Sequence, residues 1–502
     1  MNVLDRRAFL GQGAKVAGAG LFSVAAVERL EARAALAKQG SGKSGEGDGY
    51  GPVSAVAESG SDGREILALP AGFSYVVFGK IGSIMSDGVP TPLALDGMAA
   101  FQGLGGQVRL IRNHEDRNPS GTGSVPPDPG AYDSTARGGT STLDFDTGSR
   151  TLVRDFVSLS GTIVNCAGGH GLRFKSWISG EETTAGPERP PGSSFFPKRH
   201  GYNFEVPLDR GPSDAAIAEP LVPMGRFAHE ALATDQSTGI VYQTEDGGSG
   251  QGSGFYRYIP DDPENLAAGG RLQMLAVDRR PQADLREGQE VNRNLHVTWV
   301  DIDDVDPAYT TNNDPNSVFN QGYSKGGALF NRLEGCWYDG KDGIFFASTS
   351  GGDVKNGDVN SDGYREGFGQ IWEYRANGRS GDGRLRLVYE STGSEALDSP
   401  DNLCVTPRGG LILCEDDASD DADTNPAAPG IEDVNRLIGF SRQGEVFEFA
   451  VNRLNNSEFA GATFSPDGQT LFVNIFGESR FTAEPNEGMT IAINGPWDKG
   501  PL

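Results

Sequence analysis

One local pattern recurs along the chain and limits its fold more than any other feature. A polar or acidic residue opens a short apolar run, a Gly- or Asp-containing turn follows, and a second apolar run ends on acids or amides. Asp96 leads to Asn113-His114-Glu115, Cys166 to Glu181-Glu182, and Glu230 to Glu245-Asp246. Glu334 leads to Ser348-Thr349-Ser350, Asp401 to Glu415-Asp416, and Gly461 to Asn474. Five of the six spans run about fifteen residues, the length of a tight hairpin of two short strands. The start of the first strand and the end of the second share one edge in such a hairpin. Six units around an axis therefore predict an all-β fold, a six-bladed β-propeller with insertions. The polar ends then meet at one mouth of its central channel. A β-sandwich with polar strand ends is the competing arrangement.

Composition agrees with this class. Seventy-two glycines and frequent Asp-Gly and Gly-Gly turns favour strands, and 36% apolar residues suit a loop-rich β protein. The net charge of −26 sets the surface against nucleic acid and anionic lipid and in favour of cations. The start of the chain reads as a targeting segment. Arg6-Arg7-Ala8-Phe9-Leu10 is a twin-arginine pattern, followed by a glycine-laced apolar run too short to span a membrane comfortably. The expected division is a signal peptide over 1–37, a flexible Gly/Ser-rich linker over 38–65 and the propeller over 66–502. A monomer exported by the twin-arginine machinery follows, periplasmic or secreted, with no stable membrane insertion. That route carries folded proteins, which suits a cofactor inserted before export.

The chemistry points to hard cations. Five histidines and no Cys-x-x-Cys pair argue against zinc of the usual kind. The converging residues are mostly carboxylates, which suit calcium or ferric iron. Candidate ligands are Asp96, Glu115, Glu181, Glu182, Glu230, Glu245, Glu334, Asp401, Glu415 and Asp416, with Cys166 the one sulfur among them. Cys166 is read either as a metal-bound thiolate or as a packed thiol. Arg332, two residues before Glu334, would offer a fork to a phosphate or carboxylate, or else pair with a neighbouring acid. Asp358-Val359-Asn360-Ser361-Asp362-Gly363 starts like a calcium loop but has Gly369 where the twelfth-position glutamate belongs. Cys404 and Cys414 flank a turn and are read as a cross-strand disulfide or as two free thiols.

Taken together, these motifs resemble the PhoX-type alkaline phosphatases. The resemblance rests on the twin-arginine signal, Asn113-His114-Glu115, Asn165-Cys166-Ala167-Gly168-Gly169, Glu181-Glu182 and Gly225-Arg226-Phe227-Ala228-His229-Glu230. It continues through Thr244-Glu245-Asp246, Arg332-Leu333-Glu334-Gly335, Ser399-Pro400-Asp401-Asn402-Leu403 and the stretch from Phe459 to Trp497. It implies a six-bladed propeller whose iron and calcium cluster hydrolyses phosphate monoesters. It further implies that Cys166 bridges two ferric ions, that Glu230 and Glu334 are ligands, and that Arg332 contacts phosphate. Two departures, the turn Gly171-Leu172-Arg173-Phe174-Lys175-Ser176 and Gly180 in place of a cysteine, are expected beside the site and bear on pocket shape. A calcium-dependent lactonase or esterase propeller and a non-catalytic exported binding propeller are the alternatives to a phosphatase.

Overall fold

The computed structural model describes residues 49–502 apart from 61–62, 189–195, 213, 215–216, 309–310, 378–381, 417–427 and 478–486. The expected signal peptide and the first part of the expected linker lie outside the described residues. Strands dominate, and Val318–Ser324 is the one α-helix among the described residues, its start capped by the Ser317 hydroxyl accepting from Asn320 N–H.

The strands form a propeller-like arrangement of four blades and one nine-stranded sheet. One blade holds Leu95–Gln102, Val108–His114, Gly138–Asp146 and Thr151–Thr162, each antiparallel to the next. The next is Asn165–His170, Ser176–Glu181 and Asn203–Pro207. The nine-stranded sheet runs outward from His229–Thr234 to Asn294–Asp301, pairs there with Gly383–Glu390, and returns to Leu333–Tyr338. Pro400–Val405 opens another blade, and Phe459–Phe464 opens the last. That last blade is completed by Ser74–Phe78 from the start of the chain, paired with Met489–Asn494, so both ends of the fold lock into one sheet. Val53–Val56 pairs with Leu67–Pro70 inside the stretch expected to be linker. The pairing adds two strands outside Val446–Asn452. Gly- and Ser-rich flanks hid this strand because Val-Ser-Ala-Val is too short to show a period.

The six opening strands touch one another in a closed ring, Leu95–Gln102 against Asn165–His170 and so on round to Phe459–Phe464. Their register breaks at one equivalent place in every strand, between Leu95 and Met98, Asn165 and Gly168, His229 and Leu232, Leu333 and Cys336, Pro400 and Leu403, and Ala460 and Thr463. A bulge twists the strand and re-aims the residues inside it. Small residues then let the strands close on the axis. A Cβ on Gly97 would lie 2.5 Å from the Ala167 Cα, and one on Gly335 2.7 Å from the Asp401 carbonyl. Within the bulges the ring closes on a void of about 20 Å³ lined by Gly97, Ala167, Ala231, Gly335, Asn402 and Ala462. Farther down, the His170 ring packs edge-on against Phe101 and Trp337.

Several sequence expectations look different in three dimensions. The turn Gly171–Ser176 joins the far ends of its two strands, with Leu172–Phe174 a 3-10 turn facing away from Cys166. Four strand residues, 167–170, separate it from that thiol by roughly 15 Å. This turn is therefore not beside the site, whereas Gly180 directly precedes Glu181-Glu182. Asp362 of the calcium-like loop pairs with Arg286 and accepts from Tyr364 N–H, so its oxygens serve a hairpin turn. Cys404 and Cys414 are buried free thiols, cross-strand neighbours of Ile412 and Leu437 respectively.

Candidate metal centre

The bulges build the mouth. The residue that opens each unit lies within its bulge, and there Asp96, Cys166, Glu230, Glu334 and Asp401 come together from five strands. The sixth unit opens on Gly461, whose positive φ of 61° and tight approach to the Asp96 carbonyl leave no room for a side chain. Four of the six strands are entered through a left-handed residue that is not glycine: Ala94, Val164, Arg332 and Ser399, each two positions before its mouth residue. That conformation costs roughly 1–2 kcal/mol per residue, and such strain gathers where a site demands the geometry.

The acid pairs that close the units divide into two roles. The first member of each pair faces inward and is fully used by the protein. Glu181 accepts from Ile163, Gly201 and Tyr202 N–H and from the His200 ring. Glu245 accepts from Gly254 N–H, the Tyr256 hydroxyl and Asn312, and Glu415 from Asp398 N–H and the Arg436 fork. None of the three belongs to a group with metal-ligand spacing among the described residues. Glu182 and Asp416, the second members, do belong to such groups, as does Glu115 after His114. Asp246 takes the Arg332 guanidinium at 3.1 Å.

Four groups of three potential ligand atoms, each within 4.8 Å of one another, follow the mouth: Asp96–Glu115–Cys166, Cys166–Glu182–Glu230, Glu230–Glu334–Asp401 and Asp401–Asp416–Glu458. Cys166, Glu230 and Asp401 are each shared by two groups, so the four are continuous. Glu458 was not among the residues expected from sequence. The one signal it gave was an acid immediately before the glycine-opened strand Phe459–Phe464.

Electrostatics make this arrangement costly by itself. Two unit charges 4.8 Å apart repel by roughly 3 kcal/mol even at an effective dielectric of 20. Burial, then Asp96, Glu230, Glu115 and Glu182, push the Cys166 thiol well above its usual range, and its Sγ donates to Glu230 Oε1 at 2.9 Å. Burial, then Asp416, Asp401, Asp96 and Glu115, push the Glu458 carboxyl well up. Two guanidinium groups stand among these acids. Arg332 pairs with Asp246 and, at 3.1 Å, with Glu334, while Arg117 donates to both Glu115 and Glu182. The nearby histidines face the fold instead. His114 meets the Leu93 carbonyl and Ser141, His229 meets the Gly225 carbonyl and Asn203, and burial holds His229 down at about 4. A thiol and eight carboxylates thus offer an oxygen-rich donor set for more than one hard cation.

Comparison with known proteins shows the family and the fold. The family model "Alkaline phosphatase PhoX" matches residues 49–153 and 145–477. No curated protein matches the chain. Among solved structures, Pseudomonas fluorescens PhoX in complex with vanadate, a transition state analogue, aligns at a TM-score of 0.63 and 18% identity, covering 90% of this chain and 99% of that one. A Dyadobacter fermentans protein of unknown function aligns at 0.41 and 9% identity, over 85% of this chain and 100% of that one. The match to the family model spans most of the folded chain, and the chain belongs to the PhoX family of alkaline phosphatases.

Proposed function

We propose that this chain is an exported, metal-dependent phosphatase that hydrolyses phosphate monoesters at the carboxylate and thiolate mouth of a six-bladed propeller. The observation that carries the reading is the continuous run of four ligand groups joined through Cys166, Glu230 and Asp401. The closed ring of six opening strands supports six blades, the nine-stranded sheet being two blades joined at their outer edges. Ferric iron and calcium suit the donor set, the softer positions being those that include Cys166. Asp96, Glu115, Cys166, Glu182, Glu230, Glu334, Asp401, Asp416 and Glu458 would hold the ions. When bound, such ions polarise phosphoryl oxygens and neutralise charge that builds up in the transition state.

The chain's own residues do the rest. Arg332, its Nε and Nη2 held by Asp246 and Glu334, is positioned as a fixed positive charge for the phosphoryl oxygens. The tight closure of the ring within the bulges keeps water and ester on the mouth side. The twin-arginine pattern supports export to the periplasm or beyond. The test is the purified protein on an aryl phosphate, with iron and calcium and after chelation. Chelation is expected to lower phosphate release by roughly a thousandfold or more. Elemental analysis should find iron that Cys166→Ala loses. Metal-independent release, or no release at all, ends the proposal.

A further inference from the structure

We infer that Arg117 is a second phosphoryl-contacting guanidinium, flanking Glu230 on the side opposite Arg332. The inference rests on the phosphatase reading above. Arg332 is one hydrogen bond from Glu334, and Arg117 is one hydrogen bond from Glu182. Glu182 and Glu334 each place an oxygen within 4.8 Å of a Glu230 oxygen, so the two cations bracket that carboxylate. Arg117 and Glu182 line a cavity of about 230 Å³, and Asp246, the carboxylate that holds Arg332, lines it too.

The two arginines differ in reach. The Arg117 side chain is 27% exposed and the Arg332 side chain 12%, whereas their four carboxylate partners are at most 6% exposed. Arg117 is therefore the cation an incoming ester meets first. Its loop is fixed, because Asp116 accepts from Ser124 N–H and Asn118 donates back to the Asp116 carbonyl. A second guanidinium gives a tetrahedral dianion a further charged contact, and a surface of net charge −26 needs cations at the entrance to admit it.

The test compares wild type, Arg117→Gln and Arg117→Lys in the metal-replete protein. Calorimetric affinity for inorganic phosphate, KM and kcat on an aryl phosphate, and metal content are all measured. Arg117→Gln is expected to weaken phosphate binding and raise KM by roughly ten- to a hundredfold. The metal complement stays unchanged, and Arg117→Lys recovers part of the loss. Phosphate affinity and KM within twofold of wild type would overturn the inference. Loss of metal in Arg117→Gln would also overturn it, by making the residue a counter-ion of the ligands alone. An inactive wild type that still binds phosphate more weakly after Arg117→Gln would sink the phosphatase reading and leave this contact standing.

Discussion

Glu182 at the mouth and Glu181 in the collar just beneath it are neighbours in sequence, both buried, and yet their charges are met in opposite ways. The collar carboxylates Glu181, Glu245 and Glu415 are met by backbone amides, a buried imidazole, a tyrosine and an arginine. The mouth carboxylates face one another across distances that two arginines only partly balance. A buried charge must be paired or coordinated. The collar is therefore complete within the protein, and the mouth is where the proposed ions would balance the remaining charge. Substitution of adjacent residues should separate the two.

The largest expected effect comes from Glu415 and Asp416. Glu415→Gln leaves Arg436 buried beside a neutral amide, and breaking such a pair costs about 3–5 kcal/mol. Urea unfolding of the chelated protein should show that loss in full, while elemental analysis of the folded fraction shows a normal metal content. Asp416→Asn should do the reverse. It relieves repulsion with Asp401 and Glu458, leaves the chelated protein as stable as wild type or more so, and lowers metal content. If both substitutions act alike, the distinction between collar and mouth fails.

This division explains what could be read from sequence. The hairpin spacing and the equivalent opening residues marked the ring, because side chains alternate along strands with a fixed period of two. The pairs Glu181-Glu182, Glu245-Asp246 and Glu415-Asp416 could not be resolved that way. Both members are acidic, and which one the fold satisfies depends on amides such as Gly201 N–H and Gly254 N–H, brought in by the loops that lead to the next strand. The bulges were equally hidden, since one extra residue leaves no mark in composition. Arg117 lay only two residues beyond the motif ending at Glu115, but its second partner, Glu182, belongs to another blade.

A smaller effect probes the collar by pH. Burial works against a charged His200 ring, but Glu181 and Asp133 outweigh it and raise the ring to about 9 from 6.5. A raised folded pKa gives stability that is complete below about 6.5 and is lost as pH rises through 9. The amount is about 3 kcal/mol by linkage. Wild type should lose that much between pH 6.5 and 10 relative to His200→Gln, measured by urea unfolding after chelation. Parallel pH curves for the two proteins would show that the collar imidazole carries no proton.

The smallest expected effects come from glycines at the two ends of the strands. A Cβ on Gly97, inside the first bulge, would press on Ala167 Cα at 2.5 Å and the Cys166 carbonyl at 2.9 Å. Both neighbours are backbone or next to it, so the inner strands must part. Gly97→Ala should therefore cost about 1–3 kcal/mol as overpacking and, by displacing Asp96 and Cys166, also lower metal content. Gly340, in the hairpin turn after Leu333–Tyr338, has open space around it and a φ of 79°. Gly340→Ala should cost only its left-handed backbone, about 1 kcal/mol, with the metal complement intact. Thermal unfolding of each variant with and without metal separates the cases. The Gly97 penalty should grow when metal is present, because the displaced ligands then lose binding as well as packing, while the Gly340 penalty stays the same.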